Sequence, residues 1–317
     1  MDENIFIAKI AHMYYAQGMD LKEIGKIFNI SYATISRLLK KGREAGIIKI
    51  LIDSHFERSV LLEAELKKAF NLKEVFSVNV SPDYSYAAVL NIVGMEAANY
   101  LVKKLKDNDK LGISWGETVY NVVNNFHTNK KINVDLIQLQ GNIPGYSFEF
   151  SSYDLVRRLK NMFSGSYYFI NADAIVGSSK IKKIIMNQSS LKDSISSYKS
   201  INVALTSVGL FNNDMVVNIF KNFINPDEKE DLEKHKIIGA NLFIFFDING
   251  NIYRSKLNKR TISIDPDEFL QIDNKIMVVA GNKNKVPALL GALRAKMVDI
   301  LFIDSIMLQT LLDEINS

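Results

Sequence analysis

The sequence contains no cysteine, which excludes disulfides, thiolate zinc sites, iron–sulfur clusters and cysteine nucleophiles. Proline is also scarce, with 5 residues in a chain of 317. No apolar run approaches the ~18 residues that a membrane-spanning helix needs; the longest, such as Leu242–Phe246, have the length of a strand. The acidic start lacks the basic segment of a secretory signal. We therefore expect a cytoplasmic globular protein with no membrane partner.

The small net charge of +4 is distributed unevenly. Residues 1–52 carry eight basic and five acidic side chains, so that +3 of the charge lies in the first sixth of the chain. A positively charged segment of this size is typical of a nucleic-acid contact. A lysine-rich surface on a solvated helical bundle would give the same count, so the charge alone does not decide between the two.

The spacing of apolar residues predicts three helices in this basic segment. Residues 5–17 carry the apolar stripe of an amphipathic helix. Asp20 is suited to cap a short second helix over 21–28, and Ser31 to cap a third helix that ends near Ala45. Two helices joined by a three-residue turn are the signature of a helix-turn-helix module.

The third helix has two different faces. Ile35, Leu38 and Leu39 point to one side, where they would pack on the first two helices. The opposite side carries the small, polar and basic groups that reach base edges and phosphates, with Arg37 as the leading base reader. The apolar run 47–52 predicts a strand, which would make the module winged. The predicted DNA-binding residues are Tyr32, Ala33, Thr34, Ser36, Arg37, Lys40, Lys41, Arg43 and, in the wing, Lys49.

The rest of the chain alternates strand-like apolar runs with helical patterns. This alternation predicts a parallel or mixed sheet with helices on both faces. The predicted strands are 75–80, 110–114, 136–139, 201–206, 275–280 and 300–303.

Several of these predicted strands end in a glycine-containing turn. The clearest is Gly112–Thr118, where backbone amides at a helix start would suit an anion such as a phosphate. Gln140-Gly141-Asn142 ends the next strand, and Lys283 and Lys285 follow a later one. Ligands of open α/β sheets bind beyond the carboxyl ends of the strands. The alternative is that these glycines only make tight turns between strands and helices.

Motifs along nearly the whole chain resemble the SorC family of bacterial sugar-responsive transcriptional regulators. In the N-terminal segment the resemblance rests on Ile35-Ser36-Arg37-Leu38-Leu39 and Ala45-Gly46-Ile47-Ile48. Further on it rests on Trp115-Gly116-x-Thr118, Phe245-Phe246-Asp247-x-x-Gly250 and Ala280-Gly281 with Lys285.

This resemblance implies a winged helix-turn-helix domain over 1–54 and a Rossmann-like α/β effector-binding domain over 55–317. The second domain would be related to sugar-phosphate isomerases and deaminases but used as a sensor, without cofactor, metal or catalytic residue. The implied partners are double-stranded operator DNA, a small phosphorylated sugar or related sugar or polyol, and other copies of the chain in a homodimer or homotetramer. The implied effector-binding residues are Gly116, Glu117, Thr118, Gln140, Gly141, Asn142, Asp247 and Lys285.

The sequence departs from the family pattern at several positions. Gly25 stands where helix-turn-helix proteins usually carry alanine, and Asn142 and Asn282 stand where a second glycine is common. Glu117 replaces a basic or small residue, and a carboxylate at this loop would repel a phosphate dianion. Either Glu117 points along the helix into solvent, or the effector is less highly charged than is usual for the family.

Two enzymatic interpretations compete with this one. Residues 112–116 match Gly-x-Ser-x-Gly, which would make Ser114 a hydrolase nucleophile with His235 as base and Asp214 or Asp227 as orienter. In hydrolases of this kind, however, several strands and a glycine-rich oxyanion segment precede the nucleophile. Here too few strands are predicted before Ser114, and no glycine-rich segment of that kind precedes it.

The second alternative is a sugar-phosphate isomerase or deaminase fused to the DNA-binding module. It needs a poised carboxylate or histidine, whereas the four histidines are scattered and have no metal-ligand spacing. Residues 247–250 faintly resemble a calcium loop, but the glutamate that completes such a loop is missing. These residues predict a hairpin turn instead.

Overall fold

The chain divides into two compact units, Met1–Glu57 and Arg58–Ser317. The predicted boundary after residue 54 lies three residues before this division. The computed structural model describes residues 3–48, 54–128, 131–143, 147–211 and 223–316.

Three helical segments build the N-terminal unit. Helix α1 (Glu3–Ala11) continues as a π-helical turn (His12–Ala16), and α2 (Leu21–Phe28) and α3 (Tyr32–Glu44) follow. Aliphatic side chains from all three helices form a small buried core, so that each helix is held by tertiary packing as well as by its own hydrogen bonds. Its buried members are Ile10, Ile24, Ile35 and Leu39, with Ile7 also fully buried.

The caps that the sequence predicts set the bounds of α2 and α3. The Asp20 carboxylate accepts from the backbone N–H groups of Lys22 and Glu23 at 2.7 and 2.8 Å, and the Glu23 carboxylate accepts from Asp20 N–H at 3.0 Å. Asn29 ends α2 in the left-handed conformation, with φ 56°. Ser31 Oγ accepts from the backbone N–H three residues later at 3.1 Å and so begins α3. The predicted helix-turn-helix is confirmed.

Two glycines let the helices of this unit approach closely. A Cβ atom on Gly25 would lie 2.7 Å from the carbonyl oxygen of Ile30, in the turn before α3. A Cβ atom on Gly42 would lie 2.5 Å from Cγ2 of Ile7 and 2.8 Å from Cδ1 of Ile48. The departure from alanine at Gly25 therefore has a steric reason, which outweighs the helix propensity lost.

Only the first two residues of the predicted wing strand lie within the described residues. Ile47 and Ile48 lie in a bend after α3, where Ile48 N–H donates to the carbonyl oxygen of Gly42 at 3.0 Å. The remainder of the predicted strand 47–52, including Lys49, lies outside the described residues.

A seven-stranded parallel sheet organises the second unit and confirms the predicted α/β architecture. Its strand order is β1-β11-β10-β5-β2-β3-β4, and each neighbouring pair is parallel. The strands are β1 (Glu74–Val78), β2 (Lys110–Ile113), β3 (Asp135–Gln138), β4 (Tyr167–Tyr168), β5 (Val203–Thr206), β10 (Asn274–Val279) and β11 (Ile300–Asp304).

Helices cover both faces of this sheet, so its strands are buried on both sides. In β10, Ile276 and Val278 face one core cluster, and Met277 and Val279 face the other. No helix among the described residues is long and apolar enough to cross a membrane. The helices of the unit are α4 (Ser54–Phe70), α5 (Tyr86–Lys104), α6 (Glu117–Asn124), α7 (Ser152–Lys160), α8 (Ser179–Met186), α9 (Ser189–Ser196), α10 (Pro226–Lys234), α11 (Pro266–Leu270), α12 (Val286–Arg294) and α13 (Ser305–Ile315).

A small antiparallel sheet that the sequence analysis did not predict follows β5. Its order is β6 (Gly209–Leu210), β7 (Gly239–Asn241), β8 (Ile244–Phe246) and β9 (Ile252–Tyr253). Leu242 and Phe243, with φ of 55° and 61°, make the tight turn between β7 and β8. The predicted hairpin turn at 247–250 is confirmed, because it joins β8 to β9.

The close approach at Gly42 can be tested by substitution. We expect Gly42→Ala to lower the free energy of unfolding of the N-terminal unit by about 1–2 kcal/mol, because overpacking outweighs the gain in helix propensity. The measurement is amide hydrogen exchange of α3 in the full chain. Ser36→Ala is the matched control on the exposed face of the same helix, with an expected change within about 0.5 kcal/mol. Unchanged exchange in Gly42→Ala would contradict the packing described.

Candidate functional site

The exposed face of α3 is the candidate DNA interface. Tyr32 is 62% exposed, and Ala33, Ser36, Arg37 and Lys40 are exposed as well. Ile35 and Leu39 are buried on the other side of the helix. The structure thus separates the two faces as the sequence pattern predicts.

Arg37 is the cation of this face that is free to contact a base. It makes no hydrogen bond or ion pair within the part of the chain that the structure describes. Lys40 lies 3.8 Å from Glu44, and Lys41 lies 2.7 Å from Glu3. These pairs are exposed, and exposed ion pairs contribute only about 0–1 kcal/mol, so a phosphate competes with them easily.

Two further predicted residues already have partners. The Arg43 guanidinium donates to the hydroxyl of Tyr15 at 3.1 Å. The Thr34 hydroxyl lies 2.9 Å from Ser31 Oγ and belongs to the cap of α3. Thr34 therefore supports the start of the helix, and the hydroxyl of Ser36 is the more accessible of the two.

The candidate effector site lies at the carboxyl ends of β5, β2 and β3, which are adjacent in the sheet. The loop after β2 is fixed by backbone hydrogen bonds: Ser114 N–H donates to Leu205 O at 3.1 Å, and Gly116 N–H donates to Phe150 O at 2.9 Å. Gly116, with φ 112°, begins α6 without a side-chain cap. The first-turn amides of α6, beside the buried Thr118, remain for a ligand.

The Gln138 side chain, which the sequence analysis did not single out, fixes the loop after β3. Its Nε2 donates to Gln140 O at 2.7 Å, to Ser152 Oγ at 3.0 Å and to Asn142 Oδ1 at 3.2 Å. Its Oε1 accepts from Ile170 N–H at 2.9 Å. Asn142 is therefore held from within the protein, at the rim of the site.

Gly141 is required by a close approach of two chain segments. A Cβ atom on Gly141 would lie 2.6 Å from the backbone nitrogen of Ala174 and 2.7 Å from the carbonyl oxygen of Ala172. The backbone of Asn142 also pairs with Ala172 and Ala174, at 2.9 and 2.7 Å. Gly141 shapes the loop and offers no side chain to a ligand.

Within the described part of the chain, several buried polar atoms at these strand ends have no hydrogen-bond partner. They are Ser114 Oγ after β2, both amide atoms of Gln140 after β3, Ser207 Oγ after β5 and Asn241 Oδ1 at the end of β7. Asn241 is tied to the end of β5 because its Nδ2 donates to Thr206 Oγ1 at 3.3 Å. We call Ser114, Gln140, Ser207 and Asn241 the polar cluster.

The polar cluster has the properties of a ligand site. Gln140 is fully buried, and Ser114 and Asn241 are each 2% exposed. A buried polar group without a partner costs about 1–3 kcal/mol, so such groups are rare and mark places where a ligand or water completes the hydrogen bonds. For Ser114, Gln140 and Ser207 the signal in the sequence was their position at or directly after the end of a predicted strand; Asn241 had no such signal.

Lys285 and Glu117 supply the charges of the site. Lys285 ends the short turn that leads into α12, and it is half-buried. Burial lowers the pKa of Lys285, and the negative charge of Glu117 opposes this shift. Glu117 is half-buried, and its Oε2 accepts from the Tyr86 hydroxyl at 3.3 Å. This hydrogen bond ties the Glu117 carboxylate to the first turn of α5.

The described hydrogen bonds of Asp247 lie within the turn after β8, and its predicted role in binding the effector stays a prediction. Its Oδ1 accepts from the backbone N–H groups of Asn249 and Asn251 at 2.9 Å each, and its Oδ2 accepts from Asn251 Nδ2 at 2.8 Å. Asp247 lies at the far end of β8 from the Leu242-Phe243 turn, beside Gly291 of α12. The other end of the hairpin brings Asn241 to the strand ends instead.

The hydrolase arrangement is absent from the described residues. His235 Nδ1 lies 2.7 Å from Asp231 O, and its ring stacks on Tyr253 at 3.8 Å. Ser114 Oγ has no hydrogen-bond partner, so no base activates it. Asp227 lies in the first turn of α10, and Asp214 is outside the described residues. No group of three or more His, Asp or Glu residues within the described ranges could hold a metal.

Family comparison identifies both units. Residues 54–313 match the family described as "Putative sugar-binding domain", and residues 8–51 match a helix-turn-helix domain. The chain belongs to the SorC/DeoR-like family of transcriptional regulators. The resemblance seen in the sequence is thereby confirmed.

Individual relatives of this SorC/DeoR-like regulator match it over nearly its whole length. The sorbitol operon regulator of Klebsiella pneumoniae is 29% identical over 309 residues, 95% of each chain. The deoxyribonucleoside regulator of Bacillus subtilis is 28% identical over 295 residues, 93% of each. The crystal structure of the full-length Klebsiella SorC gives a TM-score of 0.76 at 26% identity, covering 98% of this chain and 99% of that one. These relatives are regulators and not enzymes.

The role of Asp247 as a turn residue predicts an acid-dependent stability. Burial raises the pKa of Asp247, and hydrogen bonds from Asn251, Asn249 and Gly250 lower it. Together these hydrogen bonds have the larger effect, so the pKa lies below its ordinary value of 3.8. A carboxylate whose pKa is lower in the folded than in the unfolded state stabilises the fold at pH values above its unfolded-state pKa. This contribution is lost as the pH falls through the folded-state pKa. We expect Asp247→Asn to lower the Tm by about 2–4 °C at pH 7, with a smaller difference below about pH 3.8. The measurement is thermal denaturation followed by circular dichroism.

Asp83→Asn is the control for this measurement. Asp83 is an exposed carboxylate without a side-chain hydrogen bond in the described part of the chain, so we expect the Tm to change by less than about 1 °C. Equal Tm values for Asp247→Asn and the parent chain at pH 7 would contradict the turn role.

Proposed function

We propose that this SorC/DeoR-like protein regulates transcription of genes for the uptake or breakdown of a sugar or polyol, and that a small effector of that class controls it. The observation that carries the proposal is the polar cluster, whose buried atoms lack partners at the ligand-binding edge of a parallel sheet. A helix-turn-helix with an exposed basic face in the same chain supplies the output.

The exposed face of α3 would enter the major groove. Arg37 would read a base edge, with Ala33 and Ser36 beside it, while Lys40 and Lys41 would bind phosphates. One short helix reads only a few base pairs, so recognition requires paired modules on a pseudo-palindromic operator. We therefore propose a homodimer or homotetramer as the active form.

The effector would lie across the ends of β5, β2 and β3. The polar cluster offers hydroxyl and amide groups that match the hydroxyls of a sugar or polyol. Thr118, the first amides of α6 and Lys285 would bind the other end of the molecule, in the place that the family resemblance gives to a phosphate. Effector binding alters operator affinity only if it favours one arrangement of the assembly over another.

The DNA half of the proposal is tested at Arg37. We expect Arg37→Ala to cost roughly 1–3 kcal/mol of operator affinity and to relax discrimination at one base pair. The measurement is a binding-site selection followed by titration of single-base variants at fixed salt. Lys9→Ala, which removes an exposed cation from α1, is the control and should leave the sequence preference unchanged. An unchanged preference in Arg37→Ala would refute its assignment as a base reader.

The effector half is tested by a ligand screen against the full chain. Trp115 is the single tryptophan of the chain and lies in the loop after β2, so its fluorescence and the Tm give two independent signals for sugars, polyols and their phosphates. We expect Gln140→Leu and Asn241→Leu to weaken the binding of an active compound by a factor of ten or more, because each removes a buried hydrogen-bonding group.

Asp313→Asn, which changes an exposed carboxylate in the last turn of α13, is the control in this screen, and we expect it to keep its affinity within about twofold. If Gln140→Leu and Asn241→Leu both bind as tightly as the parent chain, the effector site is wrongly placed. Conversion of any bound compound to a product would favour the sugar-phosphate isomerase or deaminase alternative.

A further inference from the structure

The carboxylate of Glu117 stands at the place where a bound phosphate would meet α6. It belongs to the first residue of that helix, directly after Gly116. Its negative charge lies beside the first-turn amides of α6, which attract anions. Its position bears on which effector the site accepts, and the inference rests on the function proposed above.

A hydrogen bond from α5 orients the Glu117 side chain. The Tyr86 hydroxyl donates to its Oε2 at 3.3 Å from the first turn of α5. Gly281, at the end of β10, faces the Tyr86 ring so closely that a Cβ atom would lie 2.7 Å from Cδ2. The carboxylate is therefore directed across the strand ends, toward α5 and the β10 loop.

Lys285 is the positive partner in this part of the site. Its ammonium group makes no hydrogen bond within the described residues, although it is half-buried. Glu117 is the acidic group whose charge acts on it. An ammonium group without acceptors and a carboxylate with one remaining oxygen together offer both a donor and an acceptor to a ligand.

We propose that Glu117 and Lys285 form a charge-selecting pair that accepts an uncharged sugar or polyol and disfavours its phosphate ester. Two neighbouring hydroxyls satisfy both groups at once, because one donates to the Glu117 carboxylate while the other accepts from the Lys285 ammonium. The buried hydroxyl of Ser114 and the amide of Gln140, which lack partners, are uncharged groups of the kind that bind further hydroxyls.

A phosphate dianion finds a weaker site here than the loop sequence alone suggests. The Gly116 amide, which a phosphate loop would offer, already donates to Phe150 O at 2.9 Å. The charge of Lys285 is offset by Glu117, and a carboxylate within a few ångströms repels each negative charge of the phosphate. The first amides of α6 alone are left to attract it.

The test compares the full chain with Glu117→Gln, which removes the charge and keeps the shape of the side chain. Inorganic phosphate is the first probe, and sorbitol with sorbitol 6-phosphate is a matched uncharged and charged pair. Trp115 fluorescence and the Tm report binding. We expect the apparent phosphate affinity of Glu117→Gln to exceed that of the parent chain by a factor of at least about ten. In the matched pair, the affinity for the phosphate ester should rise relative to that for sorbitol.

Two conservative variants separate charge from structure. Glu117→Asp keeps the charge, and Tyr86→Phe removes the hydroxyl that holds the carboxylate; both should keep the parent's low phosphate affinity within about threefold. Lys285→Gln combined with Glu117→Gln should lose the phosphate binding gained by Glu117→Gln alone. If Glu117→Gln retains the parent's Tm without ligand but binds phosphate less than about threefold more tightly, the inference is overturned.

If Glu117→Gln does not fold, Glu117→Ala takes its place in the experiment, and its phosphate affinity is compared with that of the parent chain by the same threefold limit. Tight phosphate binding by the parent chain, in the micromolar range, would also overturn the inference. Failure of the proposed function is a separate result: it would appear as absent operator binding in the parent chain, or as operator binding that no sugar, polyol or phosphate ester alters.

Discussion

Burial of the parallel sheet on both faces is the constraint on which the effector unit depends. The central strands of this sheet send alternate residues into two core clusters, as Ile276 and Met277 of β10 do. Such strands have no accessible face, so chemistry is confined to the strand ends. The order β5-β2-β3 brings Ser207, Ser114 and Gln140 to one edge, although they are far apart in sequence.

Rigid loops make this edge selective. Gln138 uses its whole amide to hold the loop after β3, and Gly141 packs against the chain near Ala172 so closely that no side chain fits there. Gly116 is held by Phe150. Because these groups are occupied within the protein, the atoms that remain without partners are the ones that a ligand can satisfy. Selectivity then depends on a few side chains, among them Asn241 and Glu117.

The N-terminal unit was predictable in detail because its signals are local. Asp20, Asn29 and Ser31 fix the helix ends by contacts within three or four residues, and the caps appear in the structure where the sequence places them. The central strands were predictable too, since a continuous apolar run of strand length such as Ile276–Ala280 favours a strand that is buried on both faces.

The remaining features depend on contacts that sequence spacing does not encode. The strands of the second sheet are two or three residues long, too short for a periodic signal. Asn241 joins the site through a hydrogen bond to Thr206, 35 residues away. The turn role of Asp247 was not predictable because a ligand-binding carboxylate and one that holds a turn look the same in sequence. The steric need for Gly25 depends on the path of the chain at Ile30.

The polar cluster also explains how an effector can regulate this fold. Buried atoms such as those of Gln140 and Asn241, which have no protein partner among the described residues, cost free energy unless another group completes their hydrogen bonds. A ligand that completes these hydrogen bonds stabilises the arrangement of strand ends that fits it, by an amount that grows with its concentration. That difference in free energy between arrangements is the quantity that regulation requires. In the proposed function, these buried groups are therefore the ones through which an effector would change the stability of one arrangement relative to another.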